Sequence, residues 1–318
     1  MSPIILLLLG FVLLFFGGEL LVRGSVSLAL IMKISTLVVG MTVVSFATSA
    51  PELFVSLRAV FEGSSNIALG NAIGSNIANI ALVLGITAII FRVKISKQTL
   101  SLNYPIMFCA SFILGVVLYL FNGIPVNVGF LFVILLILFV WLLIANSRKE
   151  HLEAATNVSG ILEEASNDSL LKSVLLLISG VFLLKYGADF LVDSTKILAQ
   201  SFGVSDRIVA VTVVAIGTSI PELATSIIAA LKKEENLAVG NLIGSNIFNI
   251  LAVLGITAFF KEINMDDAAI FSSDYCWMMA ITFLVGLLIY IFSKQYISRK
   301  EGLFLMLIYL LYMYTTLA

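Results

Sequence analysis

Two glutamates, Glu52 and Glu222, stand inside segments that otherwise read as membrane: FATSAPELFVS at 46–56 and IGTSIPELATS at 216–226. A carboxylate at the centre of a bilayer-spanning helix costs about 2.5–3.5 kcal/mol on insertion scales. Pro51 and Pro221 directly precede them. Each proline removes an N–H, so the carbonyls of Ala47 and Gly217 lose their helical donors. In hydrocarbon such a carbonyl needs another partner, and a cation is a good one. Cation coordination is the chemistry that would offset both costs.

Neighbouring residues add oxygen. Residues four apart share a helix face, which groups Thr48 with Glu52, joined by Ser45 and Ser49, and groups Asn71, Ser75 and Asn79 on the next helix. Thr218, Ser219 and Glu222, then Asn241, Ser245 and Asn249, repeat the arrangement. None of these offers sulfur or imidazole, and the single histidine, His151, lies in a polar connection. Hard oxygen donors suit calcium or sodium rather than zinc or copper. Two carboxylates carry a charge of −2, which one Ca2+, two Na+ or two protons neutralise. Calcium and sodium would thus exclude one another from shared carboxylates, the logic of exchange rather than leak. A lone Ser or Thr in a membrane helix more often bonds backbone, and Asn71 and Asn241 fit helix packing as well as ligation. The glutamates carry the case, because an intramembrane carboxylate is functional by default.

The elements that must position these groups follow from composition. The 318 residues are 60% hydrophobic and 12% charged, with mean hydropathy +1.12. Apolar runs of spanning length recur throughout. They predict an all-α polytopic membrane protein of ten helices, near 3–22, 36–60, 66–91, 102–121, 125–145, 170–192, 207–231, 237–260, 270–292 and 301–317. The amino-terminal run lacks a basic flank and a cleavage site, so it reads as a retained helix rather than a signal peptide. Loops on one side hold thirteen Lys and Arg against four on the other, Arg58, Lys196, Arg207 and Lys261. The positive-inside rule then puts both termini outside and the connection 146–169 in the cytoplasm of a cell (plasma) membrane protein. Cys109 and Cys276 suggest neither disulfide nor metal site, and no basic stripe points to nucleic acid.

The chain is written twice. NIALGNAIGSNIANIALVLGITA at 66–88 matches NLAVGNLIGSNIFNILAVLGITA at 236–258, with a constant offset of 170 that also relates Pro51 to Pro221. GGELLVR at 17–23 matches GADFLVD at 187–193, which pairs Glu19 with Asp189 near helix ends in a structural or gating role. Five helices per copy is an odd number, so residues 1–145 and 170–318 form two inverted five-helix repeats joined by the 146–169 linker. Inverted repeats of this kind characterise secondary transporters, with the site where the repeats meet.

TSAPE and TSIPE, with GNAIGSNIANI and GNLIGSNIFNI, resemble the alpha-repeats of the cation/calcium exchanger superfamily, and most of all the prokaryotic sodium/calcium exchangers. The resemblance implies that Glu52 and Glu222 bind calcium with oxygens at Thr48 and Thr218. It also implies sodium sites shared with Ser75, Ser245, Ser45 and Ala215, and a sliding gate formed by about 3–32 and 170–202. The transported ions would be Ca2+ and Na+, with the lipid bilayer as surroundings, no cofactor and no obligatory protein partner. Some relatives carry aspartate where this chain has Asn249, a position linked to potassium use; asparagine leans against potassium dependence. The 146–169 loop is too short for the calcium-sensing domains that some members insert there, and its ILEEASND stretch reads as solvated linker.

Two alternatives keep the same site: exchange of calcium against protons, and potassium-dependent sodium/calcium exchange. An intramembrane aspartic protease would show aspartate in a G-x-G-D setting, which is absent, so the chain reads as no enzyme. A passive channel fits poorly with one central charged site.

Overall fold

The computed structural model describes residues 2–157, 169–201, 217–292 and 296–317. Its helices are α1 (Pro3–Met32), α2 (Thr36–Thr48), α3 (Ala50–Phe61), α4 (Ser65–Ile90), α5 (Thr99–Phe121) and α6 (Val126–Asn157). They continue with α7 (Leu170–Ser201), α8 (Ile220–Leu231), α9 (Glu235–Phe260), α10 (Ile270–Phe292) and α11 (Arg299–Leu317). Among the described residues seven helices are long and apolar enough to cross a membrane, or eight when α2 and α3, bent by 43°, count as one span. The expected span 207–231 is described only from residue 217 onward.

Three boundaries differ from the hydropathy reading. α1 runs to Met32 rather than 22, and α7 to Ser201 rather than 192. Arg23 is a single charge followed by an apolar run, and one charge does not break a helix whose backbone bonds continue; the resemblance implied these longer bounds. The third difference is α6, which carries helix through Asn157 into the expected linker. The ILEEASND stretch lies outside the described residues.

α1 and α7 pack antiparallel through small residues spaced by seven. Gly10 opposes Gly187, Gly17 opposes Gly180, and Gly24 opposes Ser173. A Cβ on Gly17 would sit 2.7 Å from the Leu184 nitrogen, and one on Gly180 would sit 2.8 Å from the Gly17 oxygen. Small residues thus let the two backbones touch, the device that replaces hydrophobic drive in lipid. The Ser27 and Ser173 hydroxyls bond at 2.7 Å along the same seam.

The remaining helices surround α4 and α9, which are the most buried spans. α2 crosses α9 at Gly40 and Gly240, where an added Cβ would lie 2.6 Å from the Leu237 oxygen and 2.5 Å from the Leu37 oxygen. Two short antiparallel ties join the halves of the chain. β1 (Val93–Lys94) pairs with β4 (Tyr296–Ile297), and β2 (Gly123–Ile124) pairs with β3 (Ile263–Asn264). A third kind of tie is the Tyr104 hydroxyl, which donates to the Thr282 carbonyl at 2.8 Å.

Candidate ion-binding site

Glu52 and Glu222 each occupy the first turn of a helix that starts at the TSxPE motif. Ser49 (φ −88°, ψ 3°) separates α2 from α3, and Ser219 (φ −90°, ψ 3°) holds the same conformation before α8. The proline falls just inside each new helix, where its missing N–H is tolerated. Each break therefore puts a glutamate at a helix N-terminus, whose free N–H groups favour negative charge. Both glutamates are 1% exposed.

Around them the two halves interlock. Thr48 Oγ1 donates to Asn241 Oδ1 at 3.2 Å and lies 3.4 Å from Ser245 Oγ. Ser75 Oγ lies 3.5 Å from Thr218 Oγ1. Asn79 Nδ2 donates to Asn246 Oδ1 at 3.3 Å, and Asn249 Nδ2 donates to Asn76 Oδ1 at 3.1 Å. Asn79 and Asn249 sit in wide π-helical turns, Ala78–Val83 and Asn249–Leu254, of the kind that recurs at functional sites. Their amide nitrogens are thus used for packing while their carbonyl oxygens are left over.

Seven buried oxygens of the expected residues have no hydrogen-bond partner: Glu52 Oε2, both Glu222 carboxylate oxygens, Ser49 Oγ, Ser219 Oγ, Asn79 Oδ1 and Asn249 Oδ1. A buried acceptor without a partner costs about 1–3 kcal/mol, more if charged. Such a set is costly to keep unless something positive meets it. Among the described residues no three His, Cys, Asp or Glu side chains cluster, so a cation here would meet two carboxylates and neutral oxygens.

The other expected residues fall into place as follows. Ser45 Oγ donates to the Gly40 carbonyl (2.8 Å) and the Asn241 carbonyl (3.0 Å), so its hydroxyl closes the α2–α9 contact. Asn71 Nδ2 donates to the Glu52 carbonyl (3.1 Å) and to Ser56 Oγ (3.0 Å), which makes it the clamp on the backbone of Glu52. Ala215 lies outside the described residues. Glu19 pairs with Lys232, the residue that caps the end of α8, and Asp189 pairs with Lys185 of its own helix at 3.3 Å. Sequence reasoning missed Asn76 and Asn246, whose side chains hold the ends of Asn249 and Asn79. Their signal was present, since both belong to the repeated GSN triplets at the same offset of 170.

A family model described as sodium/calcium exchanger protein matches residues 2–145 and 172–318. The chain is 35% identical over 294 residues to the inner membrane protein YrbG of Escherichia coli, covering 91% of this chain and 89% of that protein. It is 29% identical over 341 residues to the sodium/calcium exchanger MaX1 of Methanosarcina acetivorans, covering 97% of each. Among solved structures it is similar to the sodium-calcium exchanger NCX_Mj soaked with zero Na+ and Ca2+, with a TM-score of 0.81 and 28% identity, covering 99% of this chain and 98% of the other. Helix breaks that bring two buried glutamates and four partnerless neutral oxygens to the seam between repeated halves fit that match: this chain belongs to the sodium/calcium exchanger protein family.

Proposed function

We propose that the chain is a secondary active antiporter that exchanges Na+ for Ca2+ by alternating access, with Glu52 and Glu222 shared by the competing ions. The observation that carries this is the set of seven buried, partnerless oxygens, three on the two glutamates and four on Ser49, Ser219, Asn79 and Asn249. One Ca2+ or two Na+ balances the −2 charge, and either load satisfies the carboxylates. With neither bound, two charges stay buried without compensation, which opposes passage of the empty site across the bilayer. Obligatory exchange follows from that opposition. MaX1 is named a sodium/calcium exchanger, and NCX_Mj is described as undergoing extracellular ion exchange with induced binding-site occlusion, which supports the same reading here.

In this reading calcium is held by Glu52, Glu222, Thr48 and Thr218. Sodium uses the same carboxylates with Ser75, Ser245 and the residues at 45 and 215, Ser45 and Ala215, while Ser49, Ser219, Asn79 and Asn249 supply the further oxygens of the site. The chain crosses the membrane ten times as two inverted five-helix units, 1–145 and 170–318, with both termini outside and the 146–169 connection in the cytoplasm. α1 and α7, joined along their glycine seam, slide as one body to open either side.

The test is calcium uptake into proteoliposomes loaded with sodium and diluted into sodium-free medium. Uptake that needs internal sodium and vanishes in Glu52→Gln is the expected result. Uptake driven by a pH gradient alone would make the coupling ion a proton, and a requirement for potassium would place the chain with the potassium-dependent exchangers. Calcium current without a counter-ion would mean a channel.

A further inference from the structure

α7 carries a charged face that the ion site does not use. Lys185, Asp189 and Asp193 follow one another at intervals of four, so they line one side of the helix. Lys185 is fifteen residues from Leu170, roughly 22 Å along the axis, and lies in the middle of the helix. Yet the Lys185 and Asp189 side chains are 50% and 52% exposed. Charged groups carried within a membrane-spanning helix face the bundle interior or water-filled space rather than lipid.

That space is present. A cavity of about 460 Å³ is lined by Lys185, Asp189 and Asp193 on one side and by Pro51, Thr218 and Pro221 on the other. A second cavity, of about 210 Å³, shares Pro51, Phe54, Lys185 and Pro221 with the first and reaches Thr48. Lys185 therefore stands where the two spaces meet, between the outer acidic residues and the threonines of the site. Asp189 holds its ammonium group at 3.3 Å, and the Tyr186 ring lies beneath it at 4.9 Å. At the matching positions α1 carries Phe15, Glu19 and Arg23, so a lysine guards only one of the two equivalent faces.

We propose that the Lys185, Asp189 and Asp193 face of α7 lines the aqueous vestibule through which cations reach Glu52 and Glu222 from one side of the membrane, and that Lys185, restrained by Asp189, sets discrimination between divalent and monovalent cations on entry. This rests on the exchange reading above. Repulsion from a fixed positive charge scales with the charge of the ion, so Lys185 opposes Ca2+ twice as strongly as Na+. Asp189 offsets most of that field. Removing the lysine should ease calcium entry, and removing the aspartate alone should leave an uncompensated cation in the calcium path. On the proposed topology the vestibule opens outward.

The experiment uses the full chain in proteoliposomes, measuring the external Ca2+ that half-saturates sodium-driven uptake and the external Na+ that half-inhibits it. Lys185→Gln should lower the calcium value about 3- to 10-fold and the sodium value by about the square root of that factor, roughly 1.7- to 3-fold. Asp189→Asn should raise the calcium value by a similar factor. The double variant should return to within about twofold of the parent, as expected for a coupled pair. Lys185→Arg should preserve parental behaviour, and added choline chloride should shrink every shift through screening. Equal shifts for both ions, or no shift, would overturn the proposal.

A second measurement does not need transport. Lys185→Cys, with Cys109→Ala and Cys276→Ala, should react with a membrane-impermeant, charged thiol reagent; protection from it would place the side chain in lipid and sink the idea. Parental sodium-dependent uptake that Glu52→Gln abolishes keeps the exchange reading whatever Lys185 does. Absence of sodium-dependent uptake in the parent overturns both.

Discussion

The two halves of the site have the same parts and different bonding. In the first half Asn71 grips the Glu52 carbonyl and the Ser56 hydroxyl, and one Glu52 oxygen lacks a partner. In the second half the equivalent Asn241 turns its oxygen to Thr48, so Asn241 Nδ2 and Ser226 Oγ are both left over, and both Glu222 oxygens lack partners. Closely matched sequence motifs thus give one glutamate with its backbone pinned and one whose surroundings have bonds still to make. The difference teaches that chemical equivalence by duplication does not carry over to mechanical equivalence. On the proposed exchange, Glu52 would act as the fixed jaw and Glu222 as the adjustable one.

The severest test of that comparison removes charge. Glu52→Gln and Glu222→Gln should each weaken calcium binding by about 3 kcal/mol, about 100-fold, because a charge-assisted contact is lost on either side. Isotope uptake at varied calcium checks this, and full exchange in either variant would break the two-carboxylate site. Shortening the side chains separates the jaws. Glu52→Asp should raise half-saturating calcium about 10-fold because its backbone is held, and Glu222→Asp only about 3-fold because its helix can follow. The reverse order would exchange the two roles.

A smaller effect concerns the clamp itself. Asn71→Ala leaves the Glu52 carbonyl and Ser56 hydroxyl without their donor and should destabilise the protein by about 1–3 kcal/mol, read as earlier thermal unfolding in detergent. Asn241→Ala should lose less stability and more calcium affinity. The mildest changes are Ser49→Ala and Ser219→Ala. Their hydroxyls hold nothing in the protein, so melting should be unchanged while ion affinity falls about 5-fold, as for about 1 kcal/mol. Loss of stability without loss of affinity would make them packing residues.

Hydropathy alone exposed most of the helices, and the constant offset exposed the duplicated motifs, because both are properties of residue type along a line. Ends and breaks were harder. Arg23 looked like a terminus, although helix bonds run on to Met32, and the proline marked a break without saying that Ser49 would be its pivot. The asparagine lattice was hidden for a geometric reason. In an ordinary α-helix Asn76 stands about 100° from Ser75 and about 140° from Asn71, and only the contact with the other half reveals its use. The strand ties have two residues on each side, too few for any alternating pattern to register.

Those ties also set an order of events during synthesis. Val93–Lys94 pairs with Tyr296–Ile297, roughly 200 residues downstream. At about 5–20 residues per second, the first strand waits roughly 10–40 s for its partner to emerge. The glycine seam of α1 waits likewise for α7. A half-made chain therefore sits in the bilayer with an unpaired edge and an uncovered notch, and a product truncated near residue 145 never closes either. Quality control would meet this protein as an open half before it ever meets the whole.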